Sequence, residues 1–362
     1  MRPLRLCFFG WADHVHLERW AGHFAKLGHE VHVISTSGPG HYPPGVRQYT
    51  LAPGAGARRQ RLQLRWLLRR IRPHLVHVHW AHFATNVQAV WRGPLVVTAW
   101  GSDVYRRENF ADADWNASLR ALVAADLLTC DSDDLAAELR RVLPAPPRRL
   151  EVVQWGVDTE LFSPRGEDRR AELGLAGRLV IFSARNFTPI YNQETVVAAF
   201  ARVRVQHREA FLLMKRYGGD AAYFARIQAQ IAELGLGEHV RTLEAVPYEE
   251  MPALYRTADV MISIPWSDAA PMSLLEAMAC EVPSLVCDLP SLREWVQPGE
   301  TGVLAEPRDV DAVSAALLRL LDDEALRRTI GRQGRTLVQA RASQAVHMGR
   351  MAAEYMALAA GG

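Results

Sequence analysis

The sequence lacks an apolar run of roughly 18 residues, the length that a membrane-spanning helix needs. Its four cysteines have no paired metal spacing, so we expect small buried thiols rather than disulfides or zinc ligands. Neither sign of charge is in large excess, because 42 basic residues are balanced by 40 acidic ones. The net charge of +2 gives no reason to expect nucleic acid as a partner. A Gly-x-Gly-x-x-Gly dinucleotide fingerprint is absent, and His77 and His79 share a strand face without a third metal ligand. What is left is the composition expected of a soluble globular enzyme, with 49% apolar and 23% charged residues.

A pattern of strands and helices occurs twice along the chain. Short β-rich apolar runs alternate with helical patterns, as in parallel βαβ units, and the alternation restarts after the loop at residues 156–164. The strand candidates are residues 4–9, 30–35, 75–79, 95–98, 127–131, 150–154, 179–183, 210–215, 240–243, 260–264, 284–287 and 302–304. The sequence therefore predicts an α/β protein of two Rossmann-like, doubly wound parallel-sheet domains that face a central cleft.

The predicted domains cover residues 1–164 and 165–345. We expect a last helix over residues 346–362, for which packing back across the domains is one arrangement. The apolar run at residues 4–9 is too short for a signal peptide and predicts a first buried strand. We therefore expect a cytoplasmic protein.

The most informative segment lies between Asp268 and Glu276, two acids with seven residues between them. Pro271 suits the entry to a helix, and the N–H groups of that helix's first turn form a site for anions that could hold the diphosphate of a nucleotide sugar. Glu276 lies inside the helix, where its oxygens could accept from ribose hydroxyls. The alternative is a surface loop capped by Asp268, with Glu276 solvated. The segment that would hold the ligand consists of Ala269, Ala270, Pro271, Met272 and Ser273.

Three cationic residues follow predicted strands of the second domain. Arg185 comes directly after the strand at residues 179–183, where a guanidinium could hold a diphosphate and offset its charge as it leaves. Lys215 and Arg216 end the strand at residues 210–215 and are candidates for a second cationic contact. Solvated surface cations are the alternative for all three.

The first domain has polar and aromatic residues after its strands. Gly10 ends the first strand, and Asp13 or His16 could touch the reacting sugar or the acceptor, with helix capping by Asp13 as the simpler alternative. Trp100 and Asp103 follow the strand at residues 95–98, and Asp103 could accept from a sugar hydroxyl or cap the next turn.

One segment, which begins at Arg58 and ends at Arg72, is strongly basic. Its leucines and Ile71 recur at helical spacing while arginines line the opposite face. Such a helix could lie on anionic lipid at the inner membrane face as a peripheral contact. A surface helix docked on its own sheet is the alternative.

Together these motifs resemble the retaining glycosyltransferases of family 4, which have the GT-B fold. The resemblance covers nearly the whole chain and rests on Gly28-His29-Glu30-Val31, Trp100-Gly101-Ser102-Asp103-Val104, Gly156-Val157-Asp158 with Phe162, Arg185, residues 268–279, and Pro298-Gly299-Glu300-Thr301-Gly302.

The resemblance implies transfer of a sugar from a nucleoside-diphosphate sugar to an acceptor hydroxyl, without a metal and with retention of anomeric configuration. It implies that Asp268 contacts the donor sugar, Glu276 the ribose and Arg185 the diphosphate, with Val246 beside the base. The N-terminal domain would select the acceptor and the C-terminal domain would bind the nucleotide sugar. Neither the donor nor the acceptor can be named, and a glycan, a lipid-linked glycan and a small molecule are all open as acceptors.

Three residues depart from the family pattern. The first acid is usually Glu and here is Asp268, the lysine that usually partners the arginine falls at Tyr191, and a common histidine is replaced by Trp100. Lys215, Arg216 or His16 could compensate for the missing charge. These differences from the family pattern leave two alternative functions open. One is a non-catalytic nucleotide-sugar-binding partner subunit, and the other is a GT-B nucleotide-sugar epimerase.

Overall fold

The computed structural model describes residues 2–361 apart from Pro53, Ala55 and Ala270. Contacts divide the chain into two compact units: unit 1 comprises Met1–Trp155 and Ala345–Gly362, and unit 2 comprises Gly156–Gln344. The sequence analysis put the boundary after residue 164, whereas residues from Gly156 onward belong to unit 2. The reason is local pairing, because the N–H of Val157 donates to Ala342 O at 2.8 Å and the N–H of Gln344 donates to Val157 O at 3.0 Å.

In its described residues, unit 1 contains a seven-stranded parallel sheet with the order β3-β2-β1-β4-β5-β6-β7. Its central strands β1, β4 and β5 are buried along almost their whole length, because both faces of a parallel sheet are covered. The edge strand β3 is mostly exposed and has no apolar run, so the sequence did not reveal it. The strands are β1 (Arg5–Gly10), β2 (Glu30–Ser35), β3 (Arg47–Thr50), β4 (Leu75–His79), β5 (Leu95–Thr98), β6 (Leu127–Cys130) and β7 (Leu150–Val152).

The helices of unit 1 come from both ends of the chain. They are α1 (Val15–Lys26), α2 (Ala57–Ile71), α3 (Ala84–Gln88), α4 (Ser102–Tyr105), α5 (Asp112–Val123), α6 (Asp133–Val142) and α14 (Gln344–Ala360). The C-terminal helix α14 packs into the core of unit 1, where Trp20 Nε1 donates to the Tyr355 hydroxyl at 2.9 Å. In the described chain no helix combines the length and the apolar character needed to cross a bilayer.

Helix α2 is amphipathic, as the sequence predicted. It buries Leu64, Leu67, Leu68 and Ile71 against unit 1, and its arginines are exposed. This is the arrangement of a helix docked on its own sheet. Contact with a membrane stays a prediction.

The described part of unit 2 contains a six-stranded parallel sheet with the order β10-β9-β8-β11-β12-β13. The strands are β8 (Leu179–Ser183), β9 (Ala210–Lys215), β10 (Val240–Leu243), β11 (Val260–Ser263), β12 (Ser284–Cys287) and β13 (Val303–Ala305). The helices are α7 (Gln193–Gln206), α8 (Ala221–Glu233), α9 (Met251–Thr257), α10 (Met272–Ala279), α11 (Pro290–Arg293), α12 (Val310–Asp322) and α13 (Glu324–Arg341). The predicted fold class of two Rossmann-like parallel-sheet domains is confirmed.

Candidate active site

Unit 2 has a topological switch point between β8 and β11. These strands are neighbours, and the chain continues outward on either side, through β9 to β10 and through β12 to β13. Ligands of open parallel sheets bind beyond the carboxyl ends of the strands at such a point. Arg185 follows β8 and Asp268 follows β11, so the topology brings together two residues that are far apart in the sequence.

The Arg185 guanidinium is held on three sides. Its Nη2 lies 3.0 Å from Asp268 Oδ2, its Nη1 donates to Ser273 Oγ at 3.2 Å, and its Cζ lies 4.1 Å from the centroid of the Tyr191 ring. Only 11% of the Arg185 side chain and 9% of the Asp268 side chain are exposed. Burial raises the pKa of Asp268, although Arg185 and the Ala269 N–H act in the opposite direction. The result is a preorganised, nearly buried cation at the switch point.

Tyr191 stands where the resembled family usually has a lysine. It ends a short 3-10 turn, Pro189–Tyr191, and the N–H of Trp266 donates to Ile190 O at 2.8 Å, which ties this turn to the loop that contains Asp268. The aromatic ring offers its π face to Arg185 in place of a second positive charge. Sequence reasoning found the missing charge but missed this stack.

Helix α10 begins directly after Pro271, which lies at its N-cap. Asp268 therefore does not cap the helix, and Glu276 is 8% exposed rather than solvated, so the surface-loop alternative does not describe this segment. The Tyr255 hydroxyl donates to Glu276 Oε2 at 2.9 Å. The first helical residues, Met272 and Ser273, carry N–H groups that have no partner within a helix.

The predicted phosphate loop before α10 is buried where the structure describes it. Ala269 is buried, and Pro271 is buried beside it. Ala270, which the sequence also assigned to this loop, lies outside the described residues. Val246 is half-buried in the loop after β10, at the same edge of the sheet.

The two cations at the end of β9 differ in their surroundings. Arg216 is engaged elsewhere: its guanidinium lies 4.3 Å from the Phe224 ring, and its Nη1 is 3.4 Å from Glu244 Oε1. Lys215 is half-buried, and burial lowers the pKa of its amine while the nearby Glu276 carboxylate partly offsets that effect. Of these two cations, Lys215 is therefore the one that lies near the Glu276 carboxylate of the site.

Unit 1 has its own switch point between β1 and β4, where Gly10 ends β1. A Cβ at Gly10 would lie 3.2 Å from His79 Cβ, so glycine permits the close packing of these strand ends. Asp13 does not cap α1, because the N-cap of that helix is His14. The Asp13 carboxylate instead accepts a hydrogen bond from the Ser37 hydroxyl at 2.7 Å. The His16 ring stands 4.3 Å from Trp155.

Asp103 serves the loop that contains it. Its side chain accepts from the backbone N–H of Ala81 at 2.7 Å and of Trp100 at 2.9 Å, and the residue is 1% exposed. Burial raises its pKa to about 6, against the lowering effect of these N–H donors. The carboxylate thus holds the loop around Gly101, whose φ of +92° suits glycine, rather than presenting an oxygen to solvent.

The loops after β1, β4 and β5 bring three tryptophans together. Trp11 lies 4.7 Å from Trp80 and 5.9 Å from Trp100, measured between ring centroids, and all three are half-buried. The sequence marked Trp100 but not the cluster. A signal was present, since each of these loops carries a tryptophan within two residues of its strand.

His77 and His79 are fully buried in β4. His77 Nε2 hydrogen-bonds with Thr98 Oγ1 at 2.6 Å, and its Nδ1 hydrogen-bonds with the Tyr355 hydroxyl. Among the described residues neither ring nitrogen of His79 has a hydrogen-bond partner. Within the same residues no group of three His, Cys, Asp or Glu side chains is placed to hold a metal ion.

Solved structures identify the class of fold. The chain superimposes on sucrose-phosphate synthase from Thermosynechococcus elongatus with a TM-score of 0.86, at 22% identity over 99% of each chain. It superimposes on HepE from Anabaena, solved in complex with UDP and glucose, with a TM-score of 0.84 at 16% identity over 98% of this chain and 100% of that one. The fold is that of the GT-B glycosyltransferases.

Family models match both halves of the chain and give the glycosyltransferase family. Residues 14–161 match the model of Glycosyltransferase Family 4, and residues 165–337 match that of Glycosyl transferases group 1. The chain belongs to the glycosyltransferases of family 4, group 1. A D-inositol 3-phosphate glycosyltransferase of Corynebacterium efficiens is 28% identical over 277 residues, which cover 71% of this chain. The match spans 65% of that relative, which is less than two thirds of its length.

Proposed function

We propose that this protein transfers a sugar from a nucleoside-diphosphate sugar to an acceptor hydroxyl, with retention of anomeric configuration and without a metal ion. The observation that carries the proposal is the buried Arg185, held by Asp268, Ser273 and Tyr191 at the switch point beside the start of α10. The complex of HepE with UDP and glucose supports a donor of this chemical type.

Different residues of unit 2 would bind different parts of the donor. Arg185 and the N–H groups of the first turn of α10 would bind the diphosphate, because guanidinium groups and helix N-termini both favour phosphate oxygens. Glu276, oriented by the Tyr255 hydroxyl, would accept from the ribose hydroxyls. Asp268 would contact the sugar, and Val246 would border the base. The diphosphate would compete with Asp268 for Arg185, since both are anions at the same guanidinium.

The proposed chemistry needs no protein nucleophile. The bond between the anomeric carbon and the diphosphate oxygen breaks, the acceptor oxygen attacks from the same face, and the acceptor proton passes to the leaving diphosphate. Negative charge therefore develops on the diphosphate, where Arg185 and the positive end of the α10 dipole would stabilise it. Lys215 would supply the second cation that Tyr191 does not.

Release of nucleoside diphosphate tests the proposal. The wild-type protein would be screened against UDP-, GDP-, ADP- and TDP-sugars by thermal shift, and the donor that binds would be used for kinetics. We expect Arg185→Ala to lower kcat about 100-fold or more, because it removes a group that stabilises charge in the transition state. Lys215→Met should lower kcat about tenfold.

The control is Arg202→Ala, which removes an exposed arginine of unit 2 that pairs with Asp311. It should leave kcat within about twofold of wild type. Full turnover by Arg185→Ala would contradict the charge-stabilisation account. Donor binding without release of nucleoside diphosphate would indicate a non-catalytic partner subunit, and formation of a new nucleotide sugar without acceptor would indicate an epimerase.

A further inference from the structure

Unit 1 has a basic pocket at the edge of its sheet opposite to the switch point. The pocket has a volume of about 690 Å³ and lies where β1, β2 and β3 begin and α2 ends. Along β1, from Arg5 to Gly10, the two edges are separated by about 16 Å at roughly 3.3 Å per residue. Its charged lining residues are Arg5, Glu30, Arg47, Arg69, Arg70 and Arg72.

The single carboxylate of the pocket is already neutralised. Arg5 Nε donates to Glu30 Oε2 at 2.9 Å, and Arg47 Nη1 donates to Glu30 Oε1 at 2.8 Å. Arg5 Nη1 also donates to the carbonyl oxygens of Ile71 and Arg72, each at 2.9 Å, so it satisfies the negative end of α2 as well. Arg5 and Arg47 thus pair with both sources of negative charge at the pocket, the Glu30 carboxylate and the C-terminal end of α2.

Three further arginines remain at the pocket. In the part of the chain that the structure describes, Arg69, Arg70 and Arg72 have no carboxylate within ion-pairing distance, and Arg70 stacks 5.4 Å from the Trp66 ring. The sequence explains why, because residues 31–102 contain nine arginines and no aspartate or glutamate. Guanidinium groups that converge without an anion repel one another.

We propose that this basic pocket binds a phosphate group, either of a soluble phosphorylated ligand or of a lipid headgroup. Arginine suits this role because its planar fork of donors matches phosphate oxygens. Arg69, Arg70 and Arg72 supply the donors, and Arg5 and Arg47 line the wall. The proposal does not depend on the donor site, because none of these residues belongs to unit 2.

The test compares two double variants of α2 with the same change of charge. Arg69→Glu with Arg70→Glu alters the pocket, whereas Arg58→Glu with Arg59→Glu alters exposed residues of the same helix outside it. Both are made in an Arg185→Ala background, which weakens the proposed diphosphate site of unit 2 by removing its guanidinium contact. Binding of inorganic phosphate and of pyrophosphate is measured by calorimetry. Sedimentation with phosphatidylcholine vesicles, with and without phosphatidylglycerol, forms the second arm.

We expect the pocket variant to weaken binding about tenfold or more and the control variant to change it less than about threefold, because only the former removes direct phosphate contacts. Loss confined to the soluble probes would identify a free phosphorylated ligand, and loss confined to the phosphatidylglycerol vesicles would identify a headgroup. Equal weakening by both variants, or no binding of any probe by the parent, would overturn the proposal. Circular dichroism of each variant checks that the chain keeps its helical content.

Discussion

Tyr191 changes how the donor site of this protein is stabilised. A lysine at this position would add a second charge next to Arg185, whereas the tyrosine ring stacks on the guanidinium at 4.1 Å. A cation–π contact of this kind contributes about 1 to 2 kcal/mol when the cation is desolvated, as Arg185 is here. The stack fixes the plane of the guanidinium without adding charge, so Tyr191 acts through Arg185 as a positioning residue.

We therefore expect Tyr191→Ala to lower kcat about tenfold, because about 1.4 kcal/mol of transition-state stabilisation corresponds to that factor. Tyr191→Phe keeps the ring and should stay within about twofold of wild type. Tyr191→Lys tests whether the family's usual charge can replace the stack. Steady-state kinetics with the identified donor measure all three. An equal loss in the Phe and Ala variants would show that the hydroxyl matters and the stack does not.

At the scale of elements, the C-terminal helix α14 is part of the core of unit 1. Met351 is fully buried on this helix, and Glu354 pairs with Arg149 at 2.8 Å. The sequence indicated a terminal helix but not the surface on which it packs. Its amphipathic pattern identifies an apolar face, and only the arrangement of the strands and helices near Trp20 provides the matching surface.

We expect Met351→Ala to lower the free energy of unfolding of unit 1 by about 2 to 5 kcal/mol, because it leaves a cavity in a packed core. Val346→Ala is the matched control on the same helix, since Val346 is 65% exposed, and it should cost less than about 0.5 kcal/mol. Urea unfolding followed by tryptophan fluorescence is suitable, because eight of the ten tryptophans belong to unit 1. Similar costs for both variants would contradict the packing of α14 into the core.

At the scale of the whole molecule, stability should depend on pH through the buried histidines of unit 1. Burial lowers the pKa of His77 to about 3 and lowers the pKa of His79 well below its usual value. The unfolded chain therefore binds protons below about pH 6.5 that the folded chain does not bind. The stability from these neutral histidines is fully present above that pH and is lost as the pH falls toward 3.

Each fully buried histidine should thus lower the free energy of unfolding by about 2 kcal/mol between pH 7 and pH 5. His79→Gln should reduce the total loss by about that amount, whereas His41→Gln, at a fully exposed side chain, should leave it unchanged. Urea unfolding at the two pH values measures the difference. A free energy of unfolding that is constant over this range would contradict burial of neutral His77 and His79.

The sequence by itself determined the parts of this protein that depend on local pattern. Apolar runs of strand length identified the central strands of both sheets, because a buried parallel strand is apolar on both faces. The position of Arg185 after one strand and the acids around the start of α10 could be read in the same way, since the carboxyl ends of parallel strands share an edge.

Only the tertiary structure decided which of these residues meet and what they do. It paired Arg185 with Asp268, stacked Tyr191 beneath that guanidinium and directed Arg216 to Glu244. In the folded chain the Asp103 carboxylate accepts hydrogen bonds that hold its loop. The basic pocket of unit 1 forms only where three strand ends and one helix end come together. The physical reason is that periodicity reports which face of an element is buried, whereas a contact between distant residues depends on strand order and on side-chain packing.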